Sequence, residues 1–171
     1  TSEVSTFDQK LLGLPFPMVV DSNFHDLAEA ALTVLGSVVC PLNTDEDTVV
    51  RSEALAGERI FIKLRDDLQL GAPAITIDQL RIRAQENTAL FSLIKANASK
   101  GPVLFYGFSP RDPFLEWMVN FLSPLSTTAI LATQVTNPLW RKYWSGRGFE
   151  VLSAGTHTDL EDKILRLMDD V

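Results

Sequence analysis

A glycine, a serine and an aspartate follow a short apolar run near the middle of the chain, at Gly107, Ser109 and Asp112. The run itself, residues 102–106, is too short for a helix and predicts a buried parallel strand. Ligands of parallel α/β sheets bind where strands end, because glycine admits close approach and the next helix offers its N-terminal N–H groups to phosphate. A purely structural turn, with Asp112 as N-cap and Pro113 as the first helical residue, is the alternative. It explains Gly107 and Ser109 less well.

Two further polar segments follow predicted strands. Ser22 and Asn23 come just after the apolar run 18–20, while Lys63 and Arg65 lie where another apolar run ends. Because parallel strands end at the same edge of a sheet, we expect these side chains to converge with those after residue 106 in one pocket. The candidate ligand-binding residues are Ser22, Asn23, Lys63, Arg65, Gly107, Ser109 and Asp112.

The remaining reactive residue types are scattered. His25 precedes a helix and is interpreted as a capping or surface residue, and His157 is interpreted as a loop residue. Cys40 lies in an apolar run, which is typical of a small core residue, and a single cysteine cannot form an internal disulfide. These spacings predict no metal site, and no serine has the surroundings of a catalytic triad. The residue types alone therefore assign no catalytic residue.

Apolar strands alternate with amphipathic helices, and these elements must position the candidate residues. Six strands are predicted, at residues 18–20, 37–42, 59–64, 103–106, 128–133 and 149–152. Helices are predicted over residues 27–36, from Thr76 or Asp78 to about Asn97, from Pro113, over residues 138–147, and from Thr158 or Asp159 onward. Strands separated by helices favour parallel pairing. The expected fold class is α/β, a three-layer, mostly parallel, six-stranded Rossmann-like sheet with helices on both faces.

The predicted core follows from this sheet. Residues expected between the helical layers are Val19, Ile62, Leu104, Phe105, Ile130 and Val151. The strand 103–106 is expected away from an exposed sheet edge. Leu139, Tyr143 and Trp144 are expected to face the sheet. Residues 1–16 are predicted as a polar arm with at most a turn of helix, and residues 17–171 as one domain.

Three segments resemble, in order and approximate spacing, those of sirtuin-like proteins, the silent information regulator family, and especially its divergent bacterial branch often found in anti-phage defence. They are Val-Val-Asp-Ser-Asn-Phe-His-Asp at 19–26, Phe-Ile-Lys-Leu-Arg-Asp-Asp at 61–67 and Leu-Phe-Tyr-Gly-Phe-Ser-Pro-Arg-Asp-Pro at 104–113. The closing run 140–151, a helix followed by Gly-Phe-Glu-Val, also looks like that branch. The resemblance covers about residues 17–170. It implies a Rossmann-like fold with a site for NAD.

The chain differs from the family pattern at the residues that perform the family's chemistry. A sirtuin-like NAD site begins with a Gly-Ala-Gly-type phosphate loop, and no such loop precedes Ser22 in this sequence. The resemblance places the catalytic histidine at Arg65, and arginine stays protonated at physiological pH and cannot accept a proton. The chain retains the family's asparagine as Asn23, while His25 replaces the acidic residue two positions later. The resemblance therefore implies the fold without the catalysis.

Composition and charge bear on the partners of the chain. Its 171 residues are 46% hydrophobic and 22% charged, which predicts a globular domain. No apolar stretch approaches the roughly 18 residues that a membrane span needs. A net charge of −7 opposes binding to nucleic acid or to an anionic membrane. No secretory leader is recognised, so a cytoplasmic location is expected.

Two functions are consistent with these residues, beside an unrelated flavodoxin-like or Rossmann-like domain. The first is a non-catalytic sirtuin-like domain, without a cofactor, that acts as a structural or interaction module in a larger assembly. A sheet edge left by the missing loop must be covered by the arm of residues 1–17 or by another chain, and a homo-oligomer or a protein partner is expected. In this interpretation either Arg65 pairs with Asp112 or Asp21 and fills the former ligand space, or the pocket still holds a phosphate, a sulfate or a nucleotide fragment. The second is an enzyme that binds or hydrolyses NAD or ADP-ribose through Asn23 and Ser109.

Overall fold

The computed structural model describes residues 4–22, 27–36, 44, 46, 59–64, 76–124 and 128–169. The chain divides into two compact units, Thr1–Ile94 and Lys95–Val171. Described elements that begin in the first unit are α1 (Thr6–Gly13), β1 (Met18–Asp21), α2 (Leu27–Val34), β2 (Ile60–Lys63), α3 (Ile77–Glu86) and α4 (Thr88–Ala98). Those of the second are β3 (Val103–Tyr106), α5 (Pro113–Leu122), β4 (Ala129–Thr133), α6 (Pro138–Gly146), β5 (Phe149–Ser153) and α7 (His157–Asp169).

An N-cap residue and two buried apolar residues stabilise helix α1. Ser5 is the N-cap: its Oγ accepts a hydrogen bond from the Asp8 N–H at 3.0 Å, and the Asp8 carboxylate accepts one from the Ser5 N–H. Phe7 and Leu11 are buried, and α1 packs against α2. The predicted arm therefore contains a helix of eight residues, longer than the single turn that the sequence allowed, because residues four apart give it an apolar face. The division into an arm and one domain of residues 17–171 stays a prediction.

Strands β1 and β2 are parallel neighbours, and Asp21 lies opposite Lys63 in their register. All four residues of β2 are buried, which is typical of a parallel strand covered on both faces. Arg59, just before β2, donates hydrogen bonds from its guanidinium group to the backbone carbonyl oxygens of Leu12 and Leu14. These contacts hold the start of β2 against the end of α1.

The helix predicted from Thr76 to about Asn97 is two helices. Thr76, one of the two predicted caps, is the N-cap of α3, because its Oγ1 accepts a hydrogen bond from the Gln79 N–H at 3.2 Å. At Asn87 the backbone leaves helical geometry, with φ −117° and ψ 60°, and α4 begins at the next residue. The Asn87 Nδ2 donates to the Arg83 carbonyl oxygen at 3.1 Å. The Asn87 N–H donates to the same oxygen at 2.9 Å, so the last turn of α3 closes at Asn87 before α4 begins.

The sheet of the second unit has three parallel strands in the order β3, β4, β5. Strand β4 is buried along its whole length. Helix α5 begins at Pro113 with Asp112 as its N-cap, as the sequence predicted. Trp144 of α6 packs against Phe149 of β5, with ring centroids 5.2 Å apart. One buried indole therefore holds α6 on the sheet.

The described residues form two parallel sheets, of two and three strands. The fold class is α/β, as expected, but the prediction of one six-stranded sheet is wrong. An apolar run predicts a strand locally, whereas its neighbours in a sheet are set by residues far away in the chain. The predicted strand 37–42 lies outside the described residues. Strand β3, expected in a sheet interior, lies at one end of the three-strand order.

Burial also differs from expectation. Buried as expected are Ile62, Phe105 and Ile130, whereas Val19, Leu104 and Val151 are only partly buried. Trp144 is 1% exposed, but Leu139 and Tyr143, which were also expected to face the sheet, are 74% and 42% exposed. Adjacent residues on a helix point about 100° apart, so Tyr143 does not share the buried side with Trp144.

Candidate functional site

A buried lysine lies at the carboxyl end of the first sheet. Lys63, the last residue of β2, is 2% exposed, and Asp21 opposite it is 6% exposed. The Lys63 Nζ forms an ion pair at 3.0 Å with the Oε2 of Glu29, which lies in the first turn of α2. Burying an ammonium group is costly unless a carboxylate compensates it, so this pair explains how Lys63 lies inside. The predicted ligand-binding lysine is therefore engaged within the chain.

The polar residues of the turn after β3 form local hydrogen bonds. Gly107 has φ +81°, a left-handed conformation that glycine adopts without strain, and a Cβ placed there would meet no atom within 4 Å. The Ser109 Oγ accepts a hydrogen bond from the Arg111 N–H at 3.3 Å. The Asp112 Oδ1 accepts one from the Phe114 N–H at 2.9 Å. A structural role therefore accounts for the glycine and the serine as well as for the aspartate.

Four polar side chains meet at the carboxyl end of the second sheet, in what we name the His157 cluster: Tyr106, Gln134, His157 and Glu161. Tyr106 ends β3, Gln134 follows β4, and His157 begins α7 after β5. The Gln134 Nε2 lies 2.7 Å from the His157 Nδ1, and the Glu161 Oε1 lies 2.9 Å from the His157 Nε2. The Tyr106 hydroxyl is 3.3 Å from the same Nε2, and the two rings stack with centroids 6.2 Å apart.

These hydrogen bonds orient the imidazole. With its amide placed this way, Gln134 donates to Nδ1 and leaves the ring proton on Nε2, which faces Glu161. The His157 side chain is 58% exposed and that of Glu161 is 20% exposed. A solvent-facing imidazole beside a carboxylate can exchange hydrogen bonds or a proton with hydroxyl groups of a ligand.

A second network joins α5 to α6. The Tyr143 hydroxyl donates to the Glu116 Oε1 at 2.8 Å, and the Arg147 Nη1 donates to the same oxygen at 3.0 Å. These hydrogen bonds, first that from Tyr143 and then that from Arg147, lower the pKa of Glu116 below its ordinary value. Arg147 also donates to the Asn120 Oδ1 at 2.5 Å. The network fixes the C-terminal half of α6 against α5.

The predicted pocket stays a prediction. Asn23 and Arg65 lie outside the described residues, so the ion pair expected for Arg65 is untested; His25 and Cys40 lie there too. Ser22 and Lys63 belong to the first unit, while Gly107, Ser109 and Asp112 belong to the second. Within the second unit, the described candidates are held in the turn between β3 and α5.

Sequence reasoning missed the members of the His157 cluster. His157 was expected in a loop, yet it is the first residue of α7, because the Thr156 Oγ1 accepts a hydrogen bond from the Asp159 N–H at 3.2 Å. The helix therefore begins before its predicted cap. Gln134 and His157 both follow strands, so the rule that ligand groups lie at strand ends could have found them. Glu161 lies four residues after His157, a spacing that places both on one side of a helix.

No protein family model matches the chain, and no curated protein matches it significantly. Across the described residues, no three His, Cys, Asp or Glu side chains are grouped so as to hold a metal ion. In the same part of the chain, no helix combines the length and the apolar character needed to cross a membrane.

Proposed function

We propose that this chain is a non-catalytic sirtuin-like domain that serves as a structural or interaction module in a larger assembly, of the kind found in bacterial defence. In this proposal its strands belong to a three-layer, Rossmann-like fold, and the NAD chemistry of the family has been lost. The motifs at 19–26, 61–67 and 104–113 are the basis for the family. The ion pair of Lys63 with Glu29 is the observation that supports a loss of ligand binding in this proposal.

Lys63 supports this proposal because a lysine that holds a phosphate must present its ammonium group to the ligand. The Lys63 Nζ is instead buried against the Glu29 carboxylate. A phosphate bound there would displace Glu29 and place a second negative charge near the buried Asp21. Arg65, two residues further on, cannot act as a general base.

The His157 cluster favours a second candidate function, the binding of NAD or ADP-ribose at the second sheet. In nucleotide-binding α/β folds, an acidic side chain often accepts hydrogen bonds from ribose hydroxyl groups beyond a strand end. Glu161 is a partly buried carboxylate in such a position, and Gln134 adds an amide beside it. Hydrolysis of the bound nucleotide would extend this candidate to an enzyme.

Both candidates are tested on the purified chain by measuring NAD hydrolysis, lysine-peptide deacylation and unfolding in the presence of ADP-ribose. The first predicts no turnover above that of Asn23→Ala, since loss of a general base typically costs about 10² to 10⁴ in rate. The second predicts that ADP-ribose at about a hundred times its Kd raises the unfolding free energy by about 2.7 kcal/mol. That increase should disappear in Glu161→Gln and persist in Glu150→Gln, a matched change at an exposed residue of β5.

NAD turnover that Asn23→Ala abolishes would overturn the non-catalytic proposal. An unfolding free energy that ADP-ribose leaves unchanged would overturn the second candidate. Stabilisation of equal size in the wild type and in Glu161→Gln would overturn the assignment of the nucleotide to the His157 cluster.

A further inference from the structure

The two ring nitrogens of His157 have different surroundings. Two oxygen atoms lie near Nε2, the Glu161 Oε1 at 2.9 Å and the Tyr106 hydroxyl at 3.3 Å, whereas the Gln134 amide lies 2.7 Å from Nδ1. In a neutral imidazole one nitrogen carries the proton and the other an electron pair. The proton is best placed on Nε2, where oxygen atoms accept it, so the electron pair is on Nδ1.

The Glu161 carboxylate makes Nδ1 a better nucleophile. When Nδ1 forms a bond to an electrophile, the ring becomes a cation whose charge is shared by the Nε2 proton. Glu161 accepts that proton and so stabilises the positive charge as it develops, as the carboxylate of a catalytic triad does for its imidazole. Because Glu161 is partly buried, water screens this attraction less than it screens one at an open surface. Glu161 is therefore a positioning residue for His157.

The Nδ1 atom of His157 can be reached from solvent. The His157 side chain is exposed, and so is Gln134, whose amide donates to Nδ1. Exposed side chains exchange rotamers within about nanoseconds, so Gln134 can move away from the electron pair. Its amide can then donate to a group that becomes bound at Nδ1. A reagent therefore reaches this nitrogen without unfolding of the chain.

The place of His157 in the fold favours a modifying group of negative charge. His157 is the first residue of α7, a helix of 13 residues, and the N–H groups of a first turn have no partner within the helix. These groups and the helix dipole stabilise a phosphoryl group. Asp159 in the same turn opposes it, but Asp159 is exposed, so solvent and salt weaken this repulsion. The environment thus adds to a nucleophile that is already oriented.

We propose that His157 is a phosphorylation site, modified at Nδ1 by a donor in which phosphorus is bound to nitrogen. The Nδ1 electron pair forms a bond to phosphorus, the P–N bond of the donor breaks, and its electron pair leaves on the departing amine. The ring keeps its Nε2 proton and becomes a phosphorylated imidazolium that donates to Glu161. This inference goes beyond the proposed function, because it concerns a covalent change of the chain and needs no bound nucleotide.

The test incubates the purified full chain with potassium phosphoramidate, a small donor of this class, at about pH 8, where an ordinary imidazole is neutral. Mass spectrometry measures the rate at each histidine, with His25, the second histidine of the chain, as the internal reference. Phosphorus–proton correlation NMR distinguishes attachment at Nδ1 from attachment at Nε2. The variants are His157→Asn and Glu161→Ala, and the matched control is Asp162→Ala, at the next, exposed carboxylate. Thermal melting checks that each variant is folded.

We expect phosphorylation of His157 at Nδ1, about tenfold or more faster than that of His25, because orientation and the carboxylate act on His157. Glu161→Ala should slow the reaction several-fold and allow attachment at Nε2, since the proton is then no longer held on that nitrogen. Asp162→Ala should change neither the rate nor the attachment site. His157→Asn should leave only the slow reaction at His25.

Equal rates at the two histidines, or attachment chiefly at Nε2 in the wild type, would overturn the inference. A Glu161→Ala variant that keeps both the rate and the Nδ1 attachment would overturn the role of the carboxylate. The wild type in concentrated urea supplies the same comparison if Glu161→Ala does not fold. There the preference for His157 over His25 should disappear, and a preference that persists would contradict an origin in the folded structure.

Discussion

Lys63 at the end of β2 and His157 at the start of α7 have opposite environments, and this difference decides what each side chain can do. Lys63 is 2% exposed and is paired with Glu29, whereas the side chain of His157 is 58% exposed. An ammonium group that is buried and paired is not available to a solute, and removal of one partner of such a pair is costly. An exposed imidazole remains accessible to one. Residue type alone therefore does not distinguish a lysine that is engaged within the chain from a histidine that solvent reaches.

Replacement of Lys63 tests the structural role of its ion pair. Lys63→Met should lower the unfolding free energy by about 3 kcal/mol, because it leaves the partly buried Glu29 carboxylate without its ammonium partner. The double variant Lys63→Met with Glu29→Leu should recover part of that loss, since the Glu29 charge is removed together with its ammonium partner while the buried Asp21 remains. Urea unfolding monitored by circular dichroism measures both values. A double variant as unstable as Lys63→Met would show that the loss arises from packing of the lysine side chain and not from the orphaned charge.

At the level of elements, two glycines with different conformations lie at the C-terminal end of helix α6. Gly146 is the last residue of the helix, while Gly148 follows it with φ +87°. A Cβ at either position would meet no atom within 4 Å, so space does not distinguish them. The backbone angle does, because a left-handed conformation is costly for any residue that carries a Cβ.

The two glycines should therefore respond to alanine with opposite signs. Gly148→Ala should lower the unfolding free energy by about 1 kcal/mol, because alanine is strained at positive φ. Gly146→Ala should raise it by up to about 1 kcal/mol, because alanine is the better helix former. Thermal melting of the two variants beside the wild type measures the difference. A stabilising Gly148→Ala would contradict the left-handed conformation at that residue.

At the level of the whole molecule, each unit is organised on its own small parallel sheet. Among the described strands, β1 pairs with β2, and β3 and β5 each pair with β4 alone. A strand that is paired on one side presents backbone N–H and C=O groups that another strand can use. These edges are consistent with the expectation of a homo-oligomer or a protein partner, which stays a prediction.

Sedimentation velocity at several concentrations tests the homo-oligomer. We expect a species larger than one chain whose share rises with concentration, because edge pairing between copies follows mass action. The variant Lys100→Glu serves as the control, since it changes the charge of an exposed residue outside the strands. A chain that sediments as a monomer throughout this range would contradict the homo-oligomer and leave the heterologous partner as the prediction.

Local chemistry in the sequence was sufficient to predict the α/β class, the N-cap of α5, Thr76 as one of two possible caps of α3, and the end of β3 at Tyr106. Asp112 could be recognised as an N-cap from its place before Pro113, because a cap bonds to backbone groups within a few residues. The break at Asn87 could not be recognised, since a single asparagine inside an amphipathic pattern rarely interrupts a helix. These successes and this failure all concern interactions of short range.

The tertiary structure alone decided which side chains meet and which remain exposed. Lys63 pairs with a glutamate 34 residues away, and Tyr106 contacts a histidine 51 residues away. The exposure of Leu139 likewise depends on how the single buried indole of Trp144 orients α6 on its sheet. Burial and pairing are set by residues that are distant in sequence, so no local pattern contains them.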